Sequence, residues 1–176
     1  MRLLVLGGTH HVGRAVVETA LGRGDDVTTL TRGVSGPSAS GAIALHADRT
    51  DPAMLRAALG TAEWDAVIDT WSGAPSVVLD AATLLAGRAG HYGYVSSRSV
   101  HQWPFPAGVD ERAPVVDGDA ASDAGDDYAA AKRGGELAAI EAFGDRALLA
   151  RAGLILGVAS RAPAPHRCRA AANGRA

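Results

Sequence analysis

The chain has 176 residues, and 47% of them are hydrophobic, which is enough for one domain with a sizeable core and excludes a disordered or fibrous protein. Its 17 basic and 19 acidic residues give a formal net charge of -2, so no general electrostatic attraction to nucleic acid or to an anionic membrane is expected. The single cysteine, Cys168, excludes an intrachain disulfide, and no Cys/His group has the spacing of a structural zinc site, so we expect no metal.

The first apolar run, Leu3 to Leu6, is followed at once by glycines. It is shorter than the hydrophobic core of a signal peptide and far shorter than the roughly 20 residues that span a bilayer. We therefore expect a cytoplasmic protein without a membrane anchor.

Short apolar runs alternate with Ala- and Leu-rich stretches of helical length, a pattern typical of βαβ units and a parallel sheet. The predicted strands cover residues 2–6, 27–30, 43–45, 66–69, 92–96 and 147–150, and the last extends to 156 if it continues past Gly153. The predicted helices cover residues 13–23, 52–59, 76–86 and 128–142. Residues 33–41 and the Pro/Asp/Gly-rich segment 104–126 are predicted to be irregular. The sequence thus predicts an α/β fold, a Rossmann-type doubly wound parallel sheet, over residues 1–157.

Residues 158–176 differ in composition from the rest of the chain. They contain four arginines, two prolines and no acidic residue, with very few large apolar side chains. Such a segment buries too little surface to offset its chain entropy, so we predict a disordered basic tail. A basic arm that contacts phosphate is the alternative.

The stretch GGTHHVG lies between the first predicted strand and the first predicted helix. A glycine turn in this position brings backbone N–H groups and the positive end of a helix against a pyrophosphate. The predicted loop consists of Gly7, Gly8, Thr9, His10, His11, Val12 and Gly13. His10 occupies the position of the usual middle glycine, where a partly protonated imidazole would face phosphate. The alternatives are a wider turn with His10 in solvent, or a tight turn that binds nothing.

The residues after the second predicted strand indicate which dinucleotide fits. An acidic residue that binds the adenosine ribose is expected there, but the chain has Thr31 followed by Arg32. A carboxylate would repel a 2′-phosphate, whereas a guanidinium donates two hydrogen bonds to one, so the pattern favours NADP over NAD. Arg32 as a solvated loop residue is the alternative. Asp48, after the third strand, is predicted to accept from the adenine amino group or to be a simple turn residue.

A second group of polar residues occurs far away in the sequence, in YVSSRSV and DDYAAAKRGGE. Tyr128 and Lys132 are four residues apart on a predicted helix, so the ammonium lies near the phenol and lowers its pKa. Such a tyrosine exchanges a proton with a substrate oxygen while hydride moves to or from a nicotinamide. Asp126 and Asp127 are predicted to cap this helix. An ordinary amphipathic helix face is the alternative.

The order of these pieces resembles the extended branch of the short-chain dehydrogenase/reductase superfamily, which contains NAD(P)-dependent epimerases, dehydratases and reductases. The stretches RLLVLGGTHHVG, WDAVIDT, YVSSRSV, YAAAK and RAGLILG carry the resemblance, which covers about residues 1–157. It implies that Ser97 is the catalytic serine, that Tyr128 is the general acid/base, and that Lys132 binds the nicotinamide ribose and tunes the tyrosine.

The same resemblance implies further cofactor-binding residues. Asp48 and Arg49 match the adenine-side pair, and Asp69, Thr70 and Trp71 match the strand end that lines the cofactor. The chain departs from the family pattern in two ways. It has RAG where RPG is common, and it stops where extended members continue into a substrate lobe.

The sequence therefore predicts an NADP-linked oxidoreductase or epimerase/dehydratase with a Ser-Tyr-Lys site, whose C-terminal substrate lobe is missing through a truncated or frame-shifted reading. The expected substrate is a small molecule such as a nucleotide sugar or another carbonyl or hydroxyl compound, and the oligomeric state is open. The alternatives are a cofactor-binding sensor or regulatory module without turnover, and an inactive fragment.

Overall fold

The computed structural model describes residues 1–155 of the chain. The predicted domain boundary after residue 157, the predicted tail, Cys168 and any strand at residue 156 lie outside this part.

Within residues 1–155, six parallel strands form one sheet in the order β3-β2-β1-β4-β5-β6. The strands are β1 (Arg2–Leu6), β2 (Asp26–Thr31), β3 (Ile43–His46), β4 (Trp64–Asp69), β5 (Ala89–Ser97) and β6 (Ala147–Ala152). This order is that of a Rossmann sheet, and it confirms the predicted fold class. The order reverses between β1 and β4, so their carboxyl ends flank the crevice in which such sheets bind ligands.

In this described part of the chain four α-helices connect the strands, and local capping explains where two of them begin. The helices are α1 (His11–Gly22), α2 (Pro52–Leu59), α3 (Pro75–Leu85) and α4 (Tyr128–Phe143). The Asp51 carboxylate accepts from the first free N–H groups of α2, and the Asp127 carboxylate does the same for α4, as predicted for Asp127. The predicted start of α1 at residue 13 is wrong by two residues, because the Arg14 N–H already donates to the His10 carbonyl and closes a first turn.

The sheet separates two apolar cores. Successive side chains of β1 point to opposite faces of the sheet. Leu4 and Leu6 face the larger core, which is covered by α2, α3 and α4. Leu3 and Val5 face the smaller core under α1. Side chains of this buried strand are therefore apolar on both faces, which explains the unbroken hydrophobic run in the sequence.

Helix α4 packs unusually close to its neighbours because two consecutive glycines replace side chains. A Cβ on Gly135 would overlap the Tyr94 hydroxyl, and one on Gly134 would lie 2.6 Å from Cγ of Pro75. This close packing brings Lys132, one turn earlier on α4, against the carboxyl ends of β4 and β5. In the part of the chain that the structure describes, no helix is both long enough and apolar enough to cross a membrane.

Candidate functional site

Among the residues that the structure describes, two cavities open at the carboxyl edge of the sheet, beside the glycine loop. The larger, of about 470 Å³, is lined by Ser97, Tyr128 and Lys132, and we call it the Lys132 cavity. The smaller, of about 170 Å³, is lined by Thr31 and Arg32, and we call it the Arg32 cavity. Both cavities include Thr70 and Ser72 in their walls, so together they form one elongated site across the crevice between β1 and β4.

The glycine loop is packed too closely to admit side chains at Gly7 and Gly13. Gly7 and Gly8 have φ values of 115° and 119°, which non-glycine residues rarely adopt. A Cβ on Gly7 would overlap the Thr70 hydroxyl, and a Cβ on Gly13 would lie 2.7 Å from the Gly8 nitrogen. Helix α1 begins in this loop without a side-chain cap, so its first N–H groups remain available to an anion.

Replacing Gly13 with alanine is expected to lower the free energy of unfolding by about 1–3 kcal/mol, because the new methyl group meets rigid backbone atoms of Gly8. Gly22 of the same helix is a matched control. A Cβ there meets nothing within 4 Å, so Gly22→Ala is expected to raise stability by about 0.5 kcal/mol. Urea unfolding of both variants measures the difference, and equal effects would contradict the close loop-helix packing.

The two histidines of the loop lie at the mouth of the Lys132 cavity. His10 has an extended backbone, with φ -131° and ψ 149°, and His11 starts α1 with a φ of 39°. Both side chains are exposed and both residues line the cavity. The structure therefore accommodates a side chain at the position of the usual middle glycine.

The Arg32 cavity brings together several residues that the sequence analysis selected. Gly7, Thr9, Thr31, Arg32 and Trp71 all contribute to its walls. Among the described residues, no aspartate or glutamate lines it. The cavity therefore presents a guanidinium, and not a carboxylate, to whatever enters it.

Arg49 also borders this cavity, but its guanidinium is bound within the protein. Its Nη1 and Nη2 donate to Oδ1 and Oδ2 of Asp69 at 2.6 and 2.7 Å, and the Tyr92 hydroxyl donates to Oδ2 at 2.6 Å. Burial alone would raise the pKa of Asp69, but the charge and hydrogen bonds of Arg49, together with the hydrogen bonds from Tyr92 and the Trp71 N–H, outweigh it and lower that pKa. Asp69 is completely buried and lines neither cavity, so the structure places it beneath the site.

Lys132 is held by two backbone carbonyls. Its Nζ donates to the Trp71 carbonyl and, at 2.7 Å, to the Val95 carbonyl, and it lies 4.8 Å from the centre of the Tyr94 ring. The residue is 3% exposed, and burial lowers the pKa of its ammonium to about 8. The sequence contains no other lysine.

Ser97 and Tyr128 complete the predicted catalytic set in the same cavity. Ser97 ends β5, where its Oγ accepts from the Ser99 N–H at 3.2 Å and lies 3.2 Å from the Ser99 Oγ. Tyr128 is the first residue of α4 and is 48% exposed. Its hydroxyl makes no hydrogen bond to any residue of the described part. The structure thus brings Ser97, Tyr128 and Lys132 to one cavity without joining them by hydrogen bonds.

The sequence model of the NAD dependent epimerase/dehydratase family matches residues 3–86, from β1 to the end of α3. This segment is similar to the NAD dependent epimerase/dehydratase family. It contains the glycine loop, Arg32, Arg49 and Asp69, and with them the whole Arg32 cavity. No curated protein sequence matches the chain.

Solved structures of similar fold include epimerases and a reductase. A putative epimerase from Burkholderia cenocepacia superimposes with a TM-score of 0.68 at 26% identity, over 86% of this chain and 54% of that one. The Bordetella bronchiseptica enzyme WbmG, in complex with NAD and UDP, gives 0.64 at 16% identity over 80% and 49%. Vestitone reductase from alfalfa gives 0.55 at 19% identity over 84% and 55%. The chain spans about half the length of these solved structures.

Asp48, within the epimerase/dehydratase segment, lines neither cavity. Its Oδ1 accepts from the Thr50 N–H at 3.0 Å and from the Thr50 hydroxyl at 2.7 Å, and these hydrogen bonds lower the pKa of the carboxyl. The structure therefore gives Asp48 the contacts of a turn residue, and its contact with adenine stays a prediction.

A buried glutamate beyond the family segment was missed by the sequence analysis. Glu136 of α4 is fully buried and accepts from the Ser96 hydroxyl at 2.7 Å, from Arg133 Nη1 at 2.9 Å, and from Arg151 Nε and Nη2 at 2.8 and 2.9 Å. It fastens α4 to β5 and β6 directly behind Ser97. Its position four residues after Lys132, on the inward face of the same helix, is the only sequence signal for this role. Within residues 1–155, no group of three or more His, Cys, Asp or Glu side chains is arranged to hold a metal.

Proposed function

We propose that the chain binds a nicotinamide dinucleotide along the two cavities, with NADP preferred to NAD, and that it supports hydride transfer to or from a small carbonyl or hydroxyl compound. The observation that carries the proposal is the pair of cavities beside the glycine loop. One presents Arg32 and no carboxylate, and the other contains Ser97, Tyr128 and Lys132.

The glycine loop fits such a cofactor. Gly7 and Gly13 leave no room for a Cβ and so keep the turn tight, and the uncapped start of α1 offers N–H groups and a positive helix end to a pyrophosphate. Arg32 and Thr31 would hold the 2′-phosphate of the adenosine half, beside the Trp71 ring. Lys132 and Thr70 would hold the nicotinamide half in the larger cavity.

When bound, the cofactor supplies or accepts the hydride. Tyr128 would then move the proton at the substrate oxygen, and Ser97 would orient that oxygen by hydrogen bonding. Lys132, fixed by the Trp71 and Val95 carbonyls, would bind the ribose hydroxyls and keep a positive charge near Tyr128. A nucleotide sugar is one substrate class that fits the family, and WbmG was solved with NAD and UDP together.

A second candidate is a module that binds the cofactor without turnover, acting as a sensor or regulatory partner. The Tyr128 hydroxyl bonds to neither Ser97 nor Lys132, and the chain spans about half of its solved relatives. Catalytic hydrogen bonds often form only in the complex with substrate, so turnover with a panel of carbonyl compounds separates this candidate from the enzyme.

Fluorescence titration with NADPH and NADH tests the proposed binding. We expect NADPH to bind the wild-type chain more tightly than NADH, and Arg32→Gln to weaken NADPH binding about tenfold to 100-fold while leaving NADH binding unchanged, because hydrogen bonds to a charged group contribute about 1.5–3 kcal/mol. Arg112→Gln is the matched control, since Arg112 is exposed and lines neither cavity. Failure of both nucleotides to bind below millimolar concentration would refute the proposal.

A further inference from the structure

Two hydrogen bonds in series join the buried Asp69 to Lys132. The Trp71 N–H donates to Oδ1 of Asp69 at 2.9 Å, and the carbonyl of the same residue accepts from the Lys132 Nζ. The Trp71 carbonyl also accepts from the Tyr94 hydroxyl at 3.2 Å. The Trp71 backbone is therefore fixed on one side by Asp69 while it holds the lysine on the other.

We propose that Asp69 is a positioning residue for Lys132: its carboxylate fixes the Trp71 backbone that holds the lysine, and its buried negative charge favours the ammonium form. The proposal deepens the proposed function, on which its catalytic meaning rests. The physical link between the two residues can be measured without any cofactor.

Asp69 itself is held rigidly at the end of β4. Both carboxylate oxygens are bound by Arg49, Oδ2 also accepts from Tyr92, and no part of the side chain is exposed. A charge in such a position is weakly screened by water and salt, so it acts over a longer distance than a surface carboxylate. The site therefore has a fixed negative charge beneath it, at a position that water and salt ions do not reach.

The sign of the effect follows from the charges around the lysine. Burial lowers the pKa of Lys132 to about 8, the Asp69 charge raises it, and the Arg49 charge, with a smaller effect than Asp69, lowers it. Loss of the Asp69 charge therefore lowers this pKa further, and loss of both charges lowers it by less.

Other polar groups face Lys132 from each neighbouring element. Tyr94 of β5 contacts the ammonium, Tyr128 of α4 and His10 and His11 at the start of α1 line the same cavity, and Glu136 lies four residues later on α4. The Glu136 carboxylate is already bound by two arginines. Among the described residues, Asp69 is thus the carboxylate whose charge acts most directly on the lysine.

The pH dependence of amine acetylation measures this link, because Lys132 is the single lysine. The folded chain is treated briefly with acetic anhydride between pH 6 and 10, and the fraction modified at Lys132 is read by peptide mass spectrometry, apart from the N-terminal peptide. In Asp69→Asn, the side-chain carbonyl still accepts from the Trp71 N–H while the charge is gone. We expect the midpoint of Lys132 acetylation to fall by about one pH unit or more, a change that corresponds to at least about tenfold in the protonation equilibrium.

Two controls distinguish the charge from packing. Asp65→Asn removes an exposed carboxylate of the same strand, and Tyr92→Phe removes one hydrogen bond to Asp69 but keeps its charge. Both are expected to keep the wild-type midpoint, even where the second lowers the melting temperature. A folded Asp69→Asn variant with the wild-type midpoint would overturn the proposal.

Because Asp69→Asn leaves Arg49 buried without its partner, this variant is the one at risk of unfolding. The double variant Asp69→Asn/Arg49→Gln removes both charges and is expected to fold with a smaller downward shift of the midpoint. An unchanged or raised midpoint in the double variant would also overturn the proposal. Since acetylation needs no nucleotide, a chain that fails to bind NADPH but shows the shift refutes only the proposed function.

Discussion

Replacing Glu136 with glutamine is expected to lower the free energy of unfolding by about 3 kcal/mol at pH 7, because the change leaves Arg133 and Arg151 without their shared carboxylate. Each glutamate oxygen accepts two hydrogen bonds in the folded chain. A glutamine amide has only one oxygen, and its NH₂ group would face N–H donors. Urea unfolding followed by circular dichroism measures the loss.

Glu18 of α1 provides the matched control for this prediction. It also pairs with an arginine, since Arg14 Nε donates to it at 2.7 Å, but its side chain is 54% exposed. Exposed pairs of this spacing contribute about 0.3–0.5 kcal/mol, so Glu18→Gln is expected to change stability by no more than that. If Glu136→Gln lowers the free energy of unfolding no more than Glu18→Gln does, burial of the Glu136 cluster does not stabilise the fold.

The same cluster predicts how stability depends on pH. Burial by itself would raise the pKa of Glu136, but the hydrogen bonds from Arg151, Ser96 and Arg133 outweigh it and lower that pKa in the folded state. A lowered folded pKa means that the stabilisation is complete above the ordinary glutamate pKa of about 4.3 and is lost as the pH falls through the folded value. The difference between wild type and Glu136→Gln should therefore be constant above about pH 5 and shrink in more acidic solution.

The positions of most elements follow from short-range patterns. The apolar run Leu3 to Leu6 and the Ala- and Leu-rich stretch at 52–59 predicted β1 and α2 with the bounds that the structure shows. The largest errors concern the ends of strands, because tertiary contacts determine where a strand begins and ends. Strand β5 begins three residues before its predicted start and ends one residue later, because it pairs with β4 on one side and β6 on the other.

In the candidate site, too, some residues follow from short-range patterns and others depend on tertiary contacts. The glycine loop, Tyr128 and Lys132 are close in sequence to the helix and strand ends that place them, so spacing was sufficient to put them at one edge of the sheet. The partners of buried charges are not visible in spacing. Arg49 lies 20 residues from Asp69, and Ser96 lies 40 residues from Glu136, so each pair forms only when the whole sheet does. A charged residue at the end of the apolar run WDAVID was the available signal that Asp69 needs a partner.

These two buried clusters explain how a small sheet holds a polar site at its edge. The Arg49 and Asp69 pair supports the Trp71 backbone on the β4 side, and Glu136 fastens α4 to β5 and β6 on the other. Lys132 lies between them, with its ammonium on carbonyls of both strand ends. Loss of either cluster is therefore expected to affect the position of Lys132 as well as the stability of the fold.

Replacing Tyr128 with phenylalanine is expected to reduce turnover at least about 100-fold while leaving NADPH affinity within about twofold of wild type. The physical reason is that general acid/base catalysis contributes about 10²–10⁴-fold, and in the proposed function the hydroxyl of this residue carries the proton. Its side chain is 48% exposed and its hydroxyl bonds to no described residue, so the change should leave the melting temperature unaltered.

Oxidation of NADPH with a panel of aldehydes and ketones, followed by absorbance, measures turnover, and fluorescence titration measures affinity. Ser99→Ala is a useful comparison, because Ser99 touches Ser97 but does not line the Lys132 cavity, and it is expected to cost far less activity. Wild-type turnover in Tyr128→Phe would assign the proton transfer to another group. Tight NADPH binding without turnover in the wild-type chain would instead favour the regulatory module, since that function needs the Arg32 cavity but makes no use of the phenol.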